Sequence, residues 1–397
     1  ITYQSDNSIN KSQSYITDDY FGLLDDSEGL FNNDLIDIGI GRLPASSVTE
    51  AKVLVDKIEY YYNYSTFGSW RNNITFVADD GDVHDGNIHM TQANNLANII
   101  SEDYGNFNIQ KIYLDNYYQE STPGGNRSPD AKDAISNSVI KGSLLVNYTG
   151  HGGELGWTNE RILEIQQINE WNNLDNMPLF MTATCNFSHF DNPQTKSAGE
   201  HLLLNPEGGA IALLSTTRLV YSGQNYDLNK EFIRTVFEKQ DGEFQRLGDI
   251  FQMTKDSVVD PTHINHRNFI LLGDPALRLS YPEFDIETTV INDTLKALGQ
   301  VEIQGNITDD GLFFSNFNGT LYSTIYDKEI TRVTLGQESC EPMPYSDQNN
   351  ILYKGSASII NGQFAFSFIV PKDIDYNYGA GKISYYAVNN NEDTPVD

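Results

Sequence analysis

The sequence LLVNYTGHGG at residues 144–153 and the sequence PLFMTATCN at residues 178–186 decide the fold. Each contains a short apolar run bounded by glycine or proline, a pattern that is typical of a buried strand in a parallel sheet. Ligands and catalytic groups of such sheets gather at the carboxyl ends of the strands. His151 follows the first run and Cys185 follows the second. We therefore expect an imidazole and a thiol side by side, as a thiol nucleophile and its base require.

Strands and helices alternate on both sides of these two runs. We predict further strands near residues 35–41, 73–78, 109–114, 208–215 and 269–275, and helices near residues 46–62, 90–100, 128–140, 162–171, 229–238 and 247–258. Such alternation indicates an α/β domain, with a mainly parallel sheet flanked by helices, over residues 1–281.

The pattern changes after Pro282. Residues 284–397 contain no strong helical pattern, but short alternating runs recur, such as VEIQG at 301–305 and QFAFSF at 363–368. About seven such runs in roughly 110 residues are typical of an Ig-like β-sandwich. We therefore predict a second, all-β sandwich domain over residues 284–397, and we expect it to continue beyond Asp397.

The composition excludes several classes of function. The 397 residues carry 55 acidic and 25 basic side chains, a net charge of −30, which disfavours binding to nucleic acid. No apolar stretch approaches the roughly 20 residues that span a bilayer. The two cysteines, Cys185 and Cys340, fall in different regions, so a disulfide framework is not expected. Because the chain begins at Ile1, we expect a processed piece of a longer, extracellular protein.

Cys185 and His151 together favour covalent catalysis over simple packing. Gly150, Gly152 and Gly153 allow a close approach of the backbone to a substrate and leave N–H groups free. We expect the Cys185 and Gly152 N–H groups to form an oxyanion hole. His151 would keep the thiol reactive and protonate the leaving amine, with no cofactor required.

The acidic loop DDGDVHDG at residues 79–86 has two alternative interpretations from its residues alone. It is either a solvated turn or a structural calcium site built from Asp82 and Asp85 together with Asp80. The loop lacks the closing glutamate of an EF-hand, so it is not one.

Four motifs resemble the gingipain family of cysteine peptidases. They are IGIGRL at 38–43, VNYTGHG at 146–152, LFMTATC at 179–185 and LGDPAL at 272–277. The resemblance covers residues 15–280 and implies a caspase-like fold, with Cys185 as the nucleophile and His151 as the acid and base. The family also places an acidic residue after the strand near 73–78 to orient the histidine, and Asp80 matches best, with Asp79 the alternative. Strands that the family has further upstream are missing, so Ile1 would lie inside a domain.

This chain departs from the family pattern at the substrate pocket. Arginine-specific gingipains have an aspartate at the base of that pocket, where this chain has His89, so a preference for arginine is not expected. The aromatic wall of the pocket would correspond to Tyr221, which could equally be a plain surface residue.

The tail resembles the sortase branch of the family, which serves the type IX secretion system of Gram-negative bacteria. The matching segments are DTLKAL at 293–298, YKG at 353–355 and GKISYYA at 381–387. The resemblance implies protein substrates whose C-terminal secretion signals are removed at the outer-membrane surface, transfer of the cargo to a lipopolysaccharide anchor, and contacts with other secretion components. The alternative is a catalytically silent surface module that docks such partners.

Overall fold

A six-stranded sheet forms the centre of the first 280 residues. In a computed structural model of the chain, the structure describes residues 3–4, 15–29, 31–291, 294–338 and 340–389. Ile1, Asp293 and Asp397, to which sequence predictions refer, lie outside these ranges. The strands are β1 (Asn73–Ala78), β2 (Asn108–Tyr113), β3 (Leu145–Thr149), β4 (Leu179–Ala183), β5 (Ala212–Thr216) and β6 (Phe269–Leu272). Their order is β6-β5-β4-β3-β1-β2, and all are parallel except β6, so the predicted mainly parallel sheet is confirmed.

Helices cover both faces of this sheet. They are α1 (Val48–Tyr61), α2 (Ile88–Asp103), α3 (Pro129–Lys141), α4 (Ile165–Glu170), α5 (Ala198–Leu204), α6 (Ser222–Thr235) and α7 (Leu247–Ser257). Side chains alternate between the faces along each strand. Phe76 packs in one buried cluster with α2, α6 and α7, whereas its neighbour Val77 packs in another with α3, α4 and α5. Burial on both faces explains why the strands are continuous apolar runs.

Shorter elements connect the main ones. The short strands are Tyr3–Gln4, Ile16–Thr17, Glu120–Thr122, Gly125–Arg127, Gly152–Gly153, Gly156–Trp157, Leu163–Glu164, Lys239–Gln240 and Glu243–Phe244, and the 3₁₀ helices are Asp19–Gly22, Tyr64–Thr66, Ser69–Asn72, Leu114–Asn116, Leu174–Asn176 and Asn265–Asn268.

Strand register brings three loops to the same edge of the sheet. Thr149, the last residue of β3, pairs with Ala78 of β1 on one side and with Ala183 of β4 on the other. The residues that follow these three strands therefore leave the sheet at one level. Those residues include Asp79, His151 and Cys185, so the register alone gathers the candidate catalytic groups.

The second part of the chain is all-β, as predicted. Its strands are β7 (Asp285–Val290), β8 (Gln300–Asp309), β9 (Gly319–Tyr326), β10 (Ile330–Val333), β11 (Pro344–Asp347), β12 (Ile351–Ile360), β13 (Gln363–Ile369) and β14 (Lys382–Asn389). One antiparallel sheet has the order β7-β8-β13-β12-β9-β14, with the short strand Leu312–Phe313 beside β8, and β10 and β11 form a separate hairpin.

The antiparallel sheet curls until its two edges approach each other. Thr288 of the first edge strand and Tyr385 of the last share a hydrogen bond of 2.9 Å between their hydroxyl groups. Val301, Ile303 and Leu321 are among the buried side chains of the core that the sheet encloses. The two layers expected of a sandwich are thus parts of one nearly closed sheet. The domain bounds 1–281 and 284–397 stay predictions.

A loop from the β10–β11 hairpin packs against the α/β part of the chain. We call residues 334–338 and 340–343 the hairpin loop. The fully buried Asp115 carboxylate accepts hydrogen bonds from the backbone N–H groups of Gly336, at 2.7 Å, and Gln337, at 2.8 Å. At the other end, the Asn87 side chain donates to the Glu341 carbonyl at 2.6 Å. The hairpin loop therefore lies directly on the acidic loop that follows β1.

Replacing Asp115 with alanine is expected to lower the free energy of unfolding by about 3 kcal/mol, because two backbone N–H groups in a part-buried contact lose their acceptor. Chemical denaturation measures this change. Glu338→Gln is the matched control, since Glu338 belongs to the same loop but is exposed, and we expect it to change stability by less than about 0.5 kcal/mol. Equal effects of the two changes would contradict the anchoring role of Asp115.

Candidate active site

The backbone of His151 is held in place from two sides. A β-carbon at Gly150 would lie 2.4 Å from the Asp79 β-carbon and 2.5 Å from the Tyr148 hydroxyl, so glycine is required there. The His151 N–H donates to Asp79 Oδ2 at 2.9 Å, and the Tyr148 hydroxyl donates to the His151 carbonyl at 2.5 Å. The turn after β3 therefore fixes the backbone from which the imidazole projects.

The carboxylate that contacts the His151 ring belongs to Asp85. Nε2 of His151 lies 2.9 Å from Asp85 Oδ2, and both side chains are partly exposed. The loop after β1 folds back to make this contact. Asp82 Oδ1 accepts hydrogen bonds from the N–H groups of His84, at 2.6 Å, and Asp85, at 2.7 Å, and closes a tight turn. That turn carries Asp85 over the strand ends to the imidazole.

Asp79 and Asp80 have other partners, which corrects the prediction that Asp80, or alternatively Asp79, orients the ring. Asp79 binds the His151 backbone, and Asp80 accepts a hydrogen bond from the Gln119 side chain. Both are buried because they follow β1 directly. Burial raises the pKa of Asp79 well above its usual range, and burial, together with the nearby charge of Glu160, raises the pKa of Asp80 to about 7. These two carboxyl groups support the loop rather than the ring.

Cys185 lies in a turn that the segment after β5 holds in place. Its thiol is half-buried and lies 3.6 Å from the carbonyl of Val220, to which it donates. Burial raises the pKa of the thiol, so the thiol needs a base to become a nucleophile. Asn186, the next residue, has a positive φ of 54°, and its N–H donates to the Arg218 carbonyl at 3.1 Å. Such a backbone is strained for a residue other than glycine, as is common next to functional groups.

The loops that carry His151 and Cys185 are in contact. The Gly150 N–H donates to the carbonyl of Ala183 at 3.4 Å. A β-carbon at Gly152 would lie 2.6 Å from the Thr184 hydroxyl, so the backbone beside His151 touches the residue before Cys185. We predict a distance of about 3–6 Å between the thiol and the imidazole, because contacts in an empty active site are often loose.

His89 and Tyr221, the predicted pocket residues, lie beside the two candidate catalytic groups. His89 is 5% exposed, and its ring packs edge-on against the His151 ring with 5.0 Å between centroids. Burial, and secondarily His151, lowers the pKa of His89 to about 4, so its ring is neutral. Tyr221 is 71% exposed and follows Val220, whose carbonyl accepts the Cys185 thiol hydrogen bond. An exposed aromatic residue therefore directly follows the backbone carbonyl that the thiol contacts.

The predicted calcium ligands, Asp82 and Asp85, have different hydrogen-bond partners in the described structure. Asp82 caps its own turn, whereas Asp85 contacts His151, so structural calcium at these residues stays a prediction. Two other groups of possible metal ligands do converge within the described residues. One group consists of Asp85, His89 and His151, and the other of Asp79, Asp80 and Glu160.

Two features of the site were missed from the sequence. Glu160 was not singled out, and no local pattern distinguishes it from a surface residue. The spacing of Asp85 and His89, four residues apart at the start of a helix, could have indicated that the two side chains meet.

Comparisons with known proteins agree with this fold. The model of peptidase family C25 matches residues 1–280. Among solved structures, the Arg-specific cysteine proteinase gingipain R is 17% identical with a TM-score of 0.55, over 94% of this chain and 78% of that chain. The complex of the pro- and mature domains of RgpB from Porphyromonas gingivalis is 17% identical with a TM-score of 0.54, over 93% of this chain and 80% of that chain. At these identities the likeness shows the shared fold.

Dimeric latent PorU from Porphyromonas gingivalis is also similar, with 27% identity and a TM-score of 0.36, over 100% of this chain and 32% of that chain. No curated protein matches the chain. Among the described residues, none of the helices has the length and apolar character needed to cross a bilayer.

Proposed function

Since the chain belongs to peptidase family C25, we propose that it is a cysteine endopeptidase in which Cys185 attacks the substrate and His151 is the acid and base. One observation carries this proposal. His151 and Cys185 each lie two residues beyond a strand end, and those two strand ends, Thr149 and Ala183, are paired in adjacent parallel strands. Thiol and imidazole therefore leave the same edge of the sheet at the same level.

The first step is the transfer of the Cys185 proton to His151. The thiolate attacks the scissile carbonyl carbon, and the carbonyl oxygen becomes an oxyanion. His151 then returns the proton to the leaving amine, and a thioester on Cys185 remains. Water, or an amine of an acceptor molecule, attacks the thioester and releases the acyl group, and the proton returns to the thiol. None of these steps calls for a cofactor.

The N–H groups of Gly152 and Cys185 would stabilise the oxyanion. The Thr158 N–H donates to the His151 carbonyl at 3.1 Å, and Gly152 pairs with Trp157 in the same short ladder. Hydrogen-bonded and non-bonded pairs alternate in an antiparallel ladder. The Gly152–Trp157 pair is thus a non-bonded one, and the Gly152 N–H is directed away from the ladder.

We propose that the substrates are proteins at the outer surface of a Gram-negative bacterium, and that the cleaved segment is a C-terminal type IX secretion signal. Support comes from the sequence of the tail at residues 353–355 and 381–387. Transfer of the cargo to a lipopolysaccharide amine, and contacts with other secretion components, belong to the same proposal. Incubation of the protein with a cargo tail and an amine acceptor, followed by mass spectrometry, tests it. Loss of the tail supports the proposal, and an unchanged cargo, with small peptides still cleaved, contradicts it.

We expect no preference for arginine or lysine before the cleaved bond. A buried guanidinium needs a paired carboxylate, because an unpaired buried charge costs several kcal/mol. His89 is neutral and buried, and Asp85 is engaged by His151. A peptide library profiled at physiological salt measures the preference, and a repeat at about 1 M salt removes diffuse attraction by the negative surface. A strong preference for arginine that persists at high salt would show that an acid lines the pocket.

A further inference from the structure

Three potential metal ligands lie close together, and one of them is the candidate catalytic histidine. Each of Asp85, His89 and His151 offers an atom within 4.8 Å of the other two. Asp85 Oδ2 lies 2.9 Å from His151 Nε2 and 3.8 Å from His89 Nε2. One atom from each of two imidazoles and one carboxylate thus lies within reach of a single ion, although no step of the proposed reaction requires His89.

The state of the His89 ring points to a ligand. Its side chain is 6% exposed, and neither ring nitrogen has a hydrogen-bond partner within the described ranges. Most buried polar atoms in proteins have a partner, and an exception calls for an explanation. Nε2 of His89 faces the Asp85 carboxylate at a distance too long for a hydrogen bond. A bound cation between them would give this nitrogen the partner that it lacks.

The spacing of the three atoms fits a tetrahedral ion. Ligand atoms about 2.0–2.1 Å from a tetrahedral Zn²⁺ lie about 3.3 Å from each other. The two distances from Asp85, 2.9 and 3.8 Å, bracket that value. Imidazole nitrogen favours Zn²⁺ over Ca²⁺ and Mg²⁺, which prefer oxygen ligands. His151 is more than half exposed, which leaves room for water as the fourth ligand.

We propose that Asp85, His89 and His151 form a Zn²⁺ site that reversibly blocks the active site. The ion takes Nε2 of His151 and the Asp85 oxygen that now contact each other. With Nε2 on the ion, the proton of the neutral ring stays on Nδ1, so a zinc-bound His151 can neither accept the thiol proton nor be oriented by Asp85. The inhibitory consequence rests on the proposed function, in which His151 is the acid and base. Zinc binding itself does not depend on that function, and it is measured separately.

The test uses the whole chain with both thiols removed. Cys185→Ala and Cys340→Ser together eliminate every cysteine, so a thiolate cannot account for any binding. Calorimetric titration with Zn²⁺ gives affinity and stoichiometry, and titration with Co²⁺ gives the visible absorption of a tetrahedral site. In this background, Asp85→Asn, His89→Gln and His151→Gln are each expected to weaken Zn²⁺ binding at least about 100-fold, since even an outer-shell change costs 10–100-fold.

The matched control is His84→Gln, because His84 is an exposed histidine in the same loop. The Zn²⁺ affinity of this variant should stay within about threefold of that of the thiol-free background. Removing His89 could disturb the helix that carries it, so the two exposed ligands, Asp85 and His151, provide independent tests. The proposal is overturned if the thiol-free protein does not bind Zn²⁺, if any of the three changes leaves affinity within about threefold, or if Ca²⁺ competes equally well.

Failure of the two proposals can be told apart. If the thiol-free protein binds Zn²⁺ but the unaltered protein cleaves no peptide, the proposed function fails and the metal site stands. If the unaltered protein cleaves peptides and neither binds Zn²⁺ at these residues nor loses activity with it, the metal site fails. Both proposals are supported if Zn²⁺ inhibits peptide cleavage, if a chelator reverses this inhibition, and if Asp85→Asn weakens it.

Discussion

Replacing Cys185 with alanine is expected to lower the rate of peptide cleavage by at least about 10⁴-fold while leaving the fold intact. The alanine cannot form a thioester, and loss of a nucleophile in comparable enzymes costs several orders of magnitude. The fold should survive because the thiol makes a single weak hydrogen bond, to the Val220 carbonyl at 3.6 Å. Cleavage of a fluorogenic peptide measures activity, and circular dichroism reports the fold.

Cys340→Ser is the matched control for this experiment. Cys340 is the other cysteine of the chain, and its thiol donates to the Asp82 carbonyl at 3.3 Å, a bond that a serine hydroxyl can replace. We expect activity within about twofold of the unaltered protein. Residual activity of Cys185→Ala within about tenfold would show that another group is the nucleophile. Failure of an alkylating inhibitor to label Cys185 would favour the silent docking module instead.

The placement of Cys185 and His151 at one edge of the sheet could be predicted because it depends on strand ends alone. Both residues follow apolar runs that are too short for helices, and parallel strands place their carboxyl ends at one edge. The register confirms that edge, since Thr149 and Ala183 are paired. Sequence patterns report the burial and the periodicity of side chains, and this information was sufficient to place both residues at one edge of the sheet.

The partner of His151 could not be predicted in the same way. Asp79, Asp80, Asp82 and Asp85 all follow β1, and their order along the chain does not show which one returns to the imidazole. A turn closed by Asp82 makes that choice, through two backbone hydrogen bonds. Which aspartate reaches the imidazole depends on the three-dimensional path of the eight residues 79–86. Hydrophobic periodicity carries no information about that path.

Buried polar contacts explain why another predicted helix has different bounds in the structure. The helix predicted near residues 229–238 begins at Ser222 instead, because its first turns bury amides rather than apolar side chains. Asn229 exchanges two hydrogen bonds with Asn147, of 2.7 and 2.9 Å. Asn225 accepts one from Asn265 at 3.0 Å. A search for apolar periodicity misses such a helix, since its buried face looks polar.

The prediction of a strand near residues 35–41 was wrong. This segment runs as an extended loop, with a single bridge between Arg42 and Leu272 at its end. A β-carbon at Gly39 would lie 2.3 Å from the backbone of Gly248. The glycines in this segment thus allow it to pack closely on a helix instead of pairing in the sheet. The alternation of isoleucine with glycine is compatible with both arrangements, so the sequence pattern did not distinguish between them.

Asp85→Asn is expected to lower kcat by about 10²-fold with little change in KM. Removal of the carboxylate that orients a catalytic histidine has cost about 10⁴-fold where that carboxylate is buried, and Asp85 is partly exposed, so we expect a smaller loss. The asparagine keeps the size of the side chain and an oxygen that can accept, but not the negative charge, so the contact at 2.9 Å no longer stabilises the imidazolium that forms when His151 takes the thiol proton. Steady-state kinetics of Asp85→Asn and of Asp85→Glu, which should recover part of the activity, measure the effect.

Asp82→Asn removes the same charge from the same loop and serves as the control. Its amide oxygen can still accept the hydrogen bonds from His84 and Asp85, so the turn persists and kcat should stay within about threefold. Asp80→Asn should also have a small effect, because Asp80 contacts Gln119 rather than the ring. A larger loss for Asp80→Asn than for Asp85→Asn would restore Asp80 as the orienting residue. Equal, small losses for all three would show that His151 needs no carboxylate partner.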